Sequence, residues 1–254
     1  MKILHVAAGD YERYESLVLQ KEQLEKEAEQ TELEYLRLFG DLITGSFSLK
    51  VECIALKKEI ALYVRAKNAG KPVDREEVAE TLRTRMTAYR LALASMLEKK
   101  KEAEEAVFID PAETGQIKKI YRRLARMLHP DVSTLTEKIP ELNELFIRAT
   151  AAYRANDLKE IRKLEVLINK VLEENGIDQL ELFIPDLEKR IEELEEEIDC
   201  LVGSEPYTYR EILRSDAAIR KKKKELKDEI ASFQTYQKEL TEKLEQLKKE
   251  VSYV

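Results

Sequence analysis

Tryptophan is missing from this sequence, all aromatics together make up only 7%, and 7 glycines and 6 prolines punctuate 254 residues. Strands and sandwiches need frequent turn residues and more aromatic and β-branched side chains, so an all-β chain is excluded. Cysteine is scarce as well. Cys53 and Cys200 lie far apart and outside any CxxC pair, which argues against a zinc site or a disulfide framework. Two histidines offer little to a metal, and His5 is expected to be a packing residue. No apolar run approaches a membrane span, and the run in MKILHVAAGD is too short to be a signal peptide. A reducing cytoplasm is the expected compartment. Also lacking are a glycine-rich phosphate loop, a GxSxG elbow and a His/Cys/Asp cluster, so we expect a non-enzyme without a cofactor.

Charge is abundant, at 37% of residues, with a formal net of −7 and a pI near 5.3. That balance belongs to long solvated helices buried along stripes, and it disfavours nonspecific nucleic-acid binding. The expected fold is all-α, with long helices and antiparallel coiled coils flanking a helical hairpin. Tyr14, Leu17, Lys21, Leu24, Ala28, Thr31, Tyr35 and Leu38 alternate by three and four and predict a helix over 10–38. FGDLITGS, 39–46, reads as a turn, and a second helix over 47–68 carries Val51, Ile54, Leu62 and Val64. Gly70 is its expected C-cap, and Asp74 the N-cap of a third helix over 75–106 whose apolar middle, MTAYRLALASML, is expected to be the best buried part of the N-terminal half.

After a linker over 107–115, residues 116–128 form an amphipathic helix. Ile117, Ile120, Tyr121, Leu124, Met127 and Leu128 make one face, and Lys118, Lys119, Arg122, Arg123 and Arg126 lie away from it. Like charges at i,i+4 cost an isolated helix about 0.2–0.5 kcal/mol per pair. Such a face makes sense against an acidic partner, which it would steer and orient. Pro130 stops the helix and pushes His129 out of α geometry, so His129 and Asp131 project from a stiff turn. A loop follows, and Pro140 opens another helix whose apolar face is Leu142, Leu145, Phe146, Ala149, Ala152 and Tyr153. That pattern extends through Leu164, Ile168 and Val171 to a stop at Asn175-Gly176, with a kink at Asn156-Asp157. Two heptad seams close the chain: Leu187, Ile191, Leu194, Ile198 and Leu201, then Ile219 through Val251, broken by VGSEPYTY and expected to pair as an antiparallel hairpin, with the surplus of the longer second arm pairing with the N-terminal helices or another chain.

IKKIYRRLARMLHPDV followed by ELNELFIRATAAYRAND, with Phe146 and Tyr153 in register, resembles the second and third helices of the J-domain of DnaJ-type co-chaperones, over about residues 116–160. The resemblance implies that Lys118, Lys119, Arg122, Arg123 and Arg126 dock on a DnaK-type chaperone. It also implies that His129, Pro130 and Asp131 stimulate its ATPase, Asp131 by pairing with an arginine there. The family's first helix, with its Tyr-x-x-Leu-Gly element, is not recognisable before Gly115; the end of the 75–106 helix, or VFID, is the expected stand-in. No Gly/Phe-rich linker and no CxxCxGxG repeats occur, so the coiled coils are expected to serve targeting or assembly, including self-association.

The expected organisation is an N-terminal helical region over 1–108, a J-like hairpin over 109–175 and a C-terminal coiled-coil hairpin over 176–254. The alternative function is a coiled-coil scaffold with a degenerate J-like pair. A third reading takes Arg220 to Lys224 as a nucleic-acid or membrane patch. The plainer account is a solvated run facing the acidic stretch around Glu192 to Glu197 across the hairpin.

Overall fold

The computed structural model describes residues 8–105, 111–177 and 187–253. The chain is all-α. Its helices are α1 (Ala8–Asn68), α2 (Arg75–Arg85), α3 (Thr87–Glu105), α4 (Pro111–Leu128), α5 (Leu135–Lys138), α6 (Pro140–Arg154), α7 (Leu158–Glu174), α8 (Leu187–Gly203), α9 (Arg210–Leu213) and α10 (Asp216–Glu250). No described residue belongs to a strand; Val73 and Tyr253 form one isolated bridge. Among the described residues no helix is long and apolar enough to cross a membrane.

Two compact units emerge, one with its described residues within 1–30 and 107–207, the other within 31–106 and 208–254. These boundaries differ from the division at 108 and 175 read from chain order. The reason is α1, which runs 61 residues without a break and gives each unit a stretch of its length.

The expected turn at 39–46 is therefore corrected to helix. Gly40 and Gly45 each cost a helix about 1 kcal/mol relative to alanine, and packing outweighs that cost. A Cβ on Gly40 would sit 3.0 Å from the Cγ of Lys100, so glycine admits α3 at close range. At the C-terminus of α1 the reading holds: Gly70 takes φ +64° and Asp74 caps α2 by accepting from the amides of Glu76 and Glu77.

The helix expected over 75–106 is two helices, parted at Met86. Its apolar middle is not buried as expected, since Leu91 is 66% and Leu97 48% exposed, while Met86 and Ala103 are enclosed. Ala106 and the VFID segment lie outside the described residues, as does His5.

In the first unit, α4, α6 and α7 share one core built on Ile117, Leu124, Leu128, Leu142, Phe146, Tyr153, Ile161, Leu164 and Ile168. Helix α4 begins at Pro111, earlier than residue 116, with proline in the first turn where its missing N–H costs nothing. The expected kink at Asn156-Asp157 is a full break: Asn156 has φ 56° and Asp157 caps α7 by accepting from the Glu160 amide. Gly176, at φ +63°, follows the end of α7.

The two C-terminal seams fall in different units. Leu187, Ile191 and Leu194 of α8 pack on Tyr14 and Val18 of α1. Leu240 and Leu244 of α10 pack on Cys53, Ile60 and Tyr63 farther along α1, in the second unit. In place of the partner arm of the expected hairpin, each seam has an apolar partner on its own unit's stretch of α1. The acidic run of α8 likewise pairs with Arg13 and Lys21 of α1, through Glu195 and Glu197, and Arg220–Lys224 belongs to the other unit.

Candidate functional site

The face of α4 that the spacing assigns to the core is in the core. Ile117, Leu124 and Leu128 are fully enclosed, Ile120 and Tyr121 nearly so, and Met127 is half-buried. On the other side Lys119, Arg122, Arg123 and Arg126 are exposed, and Lys118 is half-buried. Two of these cations have carboxylate partners: Arg123 pairs with Glu165 of α7, and Arg126 with Glu15 of α1. Among the described residues Lys118, Lys119 and Arg122 enter no ion pair.

The helix stops at the proline, and the turn is closed by the carbonyl of His129, which accepts from the amides of Val132 (2.9 Å) and Ser133 (2.8 Å). Inside the turn the Asp131 amide donates to Nδ1 of His129 at 3.2 Å. That bond makes Nδ1 an acceptor and leaves the ring proton on Nε2, which lies 3.2 Å from Oε1 of Glu22 on α1. The imidazole is also held edge-on to Phe146, with ring centroids 5.8 Å apart. Its side chain is 14% exposed, whereas that of Asp131 is 56% exposed. The tripeptide thus presents its carboxylate and Pro130 to solvent and keeps its imidazole turned inward. A short helix, α5, occupies part of the stretch expected to be loop, and the hydroxyl of Ser133 accepts from the Leu135 amide just before it.

Behind the turn, Tyr121 lies between the two aromatic residues of α6. It stacks on Tyr153 at 4.0 Å, nearly parallel, and on Phe146 at 6.2 Å. Its hydroxyl donates to Oε1 of Glu22 at 2.7 Å. Burial and that carboxylate drive the Tyr121 hydroxyl well above the ordinary tyrosine range; burial pushes Tyr153 up to about 12. Lys26 of α1 is buried over the same stack, its Nζ 3.8 Å from the Tyr153 ring centre and donating to the Tyr153 carbonyl at 2.7 Å. Desolvation lowers this amine to about 8, with the charge of Lys118 adding to the effect and Glu29 opposing it.

Of the expected stand-ins for a first helix, VFID lies outside the described residues and the described part of the 75–106 helix belongs to the other unit. The helix packed on this hairpin is the opening stretch of α1, nearly a hundred residues upstream. Its carboxylates Glu15, Glu22, Glu25 and Glu29 recur by seven, three and four, so they share one helix face. Glu15 meets Arg126, Glu22 meets His129 and Tyr121, and Glu25 and Glu29 both meet Arg154 of α6, at 3.3 and 3.6 Å. That acidic stripe was the available sequence signal: it complements the basic helix in sign and in period. One carboxylate oxygen, Oε2 of Glu22, is buried with no hydrogen-bond partner among the described residues.

The remaining candidates lie elsewhere. In α10, Arg220, Lys221 and Lys224 are exposed and Lys222 and Lys223 half-buried. Cys53 is buried among Ile60, Tyr63 and Leu240. Cys200, expected to be a small apolar seam residue, is exposed. Among the described residues no group of three His, Cys, Asp or Glu side chains is placed to hold a metal ion. No family model, no curated protein and no solved structure matches the chain.

Proposed function

We propose that the chain is a co-chaperone of the J-domain kind, which docks on a DnaK-type chaperone through α4 and the His129–Pro130–Asp131 turn and stimulates its ATPase. The observation that carries this reading is that exposed Lys119 and Arg122, which enter no ion pair among the described residues, share one hairpin with a solvent-facing Asp131 carboxylate. Exposed cations on an acidic protein are suited to steer an acidic surface onto α4. The carboxylate is then positioned for a charge-assisted bond to an arginine of the partner. His129 serves this by fixing the turn: accepting from the Asp131 amide, it sets where the carboxylate points.

The test is single-turnover ATP hydrolysis by a purified DnaK with the full chain added. Wild type should accelerate hydrolysis, and His129→Gln should lose most of that acceleration while keeping the fold, since an amide cannot restore both bonds of the ring. Absence of acceleration by wild type, or equal acceleration by both, ends the reading.

A second reading, a coiled-coil scaffold whose J-like pair only packs, draws on the internal partners of Arg123 and Arg126. It predicts self-association in light scattering and indifference to the chaperone. Targeting or self-association through the long helices is compatible with either reading.

A further inference from the structure

The stripe Glu15–Glu22–Glu25–Glu29, remote in sequence from α4, has no place in the docking scheme. We propose that it is an intramolecular latch: the opening stretch of α1 imitates the acidic surface of the partner and holds Arg126 and His129 until that partner displaces it. The inference rests on the docking reading above and adds regulation to that same site.

Three observations carry it. The latch engages residues of the docking set, Arg126 through Glu15 and His129 through Glu22, and leaves Lys119 and Arg122 open for a first encounter. An encounter at those two cations brings a competing acidic surface beside the covered ones. Second, the contact carries a local cost: Glu22 uses one oxygen for both Tyr121 and His129 and buries the other with no partner among the described residues. A buried unsatisfied carboxylate oxygen penalises the closed state, so the latch is held below the strength its charges alone would give. Third, the remainder of the stretch is anchored away from the docking face, by Lys26 on Tyr153 and by Glu25 and Glu29 on Arg154. Opening at Glu15 and Glu22 therefore need not detach the helix from α6.

The partner chemistry follows from the imitation. A surface able to replace the latch must offer carboxylates with the spacing of Glu15 and Glu22, seven residues apart on one helix face or the equivalent on another scaffold.

The test compares wild type with Glu15→Ala/Glu22→Gln in the full chain, using single-turnover ATPase of a purified DnaK and thermal melts to check folding. The double variant should require about fivefold less protein for half-maximal stimulation, a coupling in the ordinary allosteric range. His129→Gln added to it should remove the stimulation. If wild type stimulates and the double variant does no better, the latch is wrong and the docking reading stands. If neither stimulates, the docking reading fails and the latch fails with it. Should the double variant melt before the assay temperature, Glu15→Ala alone, which breaks only a pair with exposed Arg126, should lower the requirement about twofold; no change would overturn the latch.

Discussion

At Lys26 the chain does something expensive: it buries an ammonium group. In the unfolded chain this amine has its ordinary value of 10.5, and in the folded state about 8. Below pH 8 both states carry the charge and the native state bears the whole cost of desolvating it. Between about 8 and 10.5 the unfolded chain binds a proton that the folded one does not, so this group makes stability rise with pH. Tyr121 and Tyr153 act oppositely: their folded values are raised, so the stability they hold is intact below 10 and is lost as pH climbs above it. Between 8 and 10 the tyrosines are silent, but the buried Cys53 thiol, raised from 9.0, opposes the lysine there, so the comparison with a Lys26 variant is what isolates it. Compared with Lys26→Met, which keeps the stem and drops the charge, wild type should gain in thermal midpoint as pH goes from 7 to 9.5. A constant difference across that range would show that the amine is not desolvated. Tyr121 shows the same economy in polar contacts, stacking on two rings while its hydroxyl serves Glu22.

Among the elements, α1 departs most from what periodicity suggests, because two glycines within seven residues read as a turn. Gly45 has only the Cδ1 of Ile230 near its missing Cβ, at 3.9 Å, an ordinary contact. Gly45→Ala should therefore stabilise the second unit by about 1 kcal/mol through helix propensity and the lost freedom of the unfolded chain. Gly40→Ala should gain less or lose, since Lys100 must shift. Denaturant titration of both variants checks the order, and a destabilised Gly45→Ala would mean that the helix is not continuous there. Helix α4 and its turn were legible because everything that specifies them is local: a 3.6 period, a basic face, and a proline. The same holds for the caps at Asp74 and Asn175-Gly176. What stayed hidden depends on pairing at long range. Nothing in the period of Leu187, Ile191 and Leu194 says whether they face α10 or Tyr14 and Val18, and heptads are interchangeable in that sense. For the same reason the eight docking candidates between Lys118 and Asp131 could be named from one local stretch, while Glu15 and Glu22, remote in sequence, could not.

For the whole molecule the deciding quantity is where its charge resides. A net of −7 should repel an acidic partner at distance, so encounter through α4 depends on those cations of the helix that enter no ion pair among the described residues. Lys119 and Arg122 are in that class on α4, while Arg123 and Arg126 are already matched within the chain. Association through such a face should weaken as salt shortens the reach of exposed charges, about 14 Å at 50 mM and 6 Å at 300 mM. The most direct measurement is a fluorescence titration of the full chain with purified ATP-bound DnaK at those two salt concentrations, for wild type and Lys119→Glu/Arg122→Glu. The account predicts wild-type binding that falls as salt rises and is lost on charge reversal at both concentrations; wild-type binding that charge reversal leaves unchanged, or no wild-type binding at low salt, would contradict it.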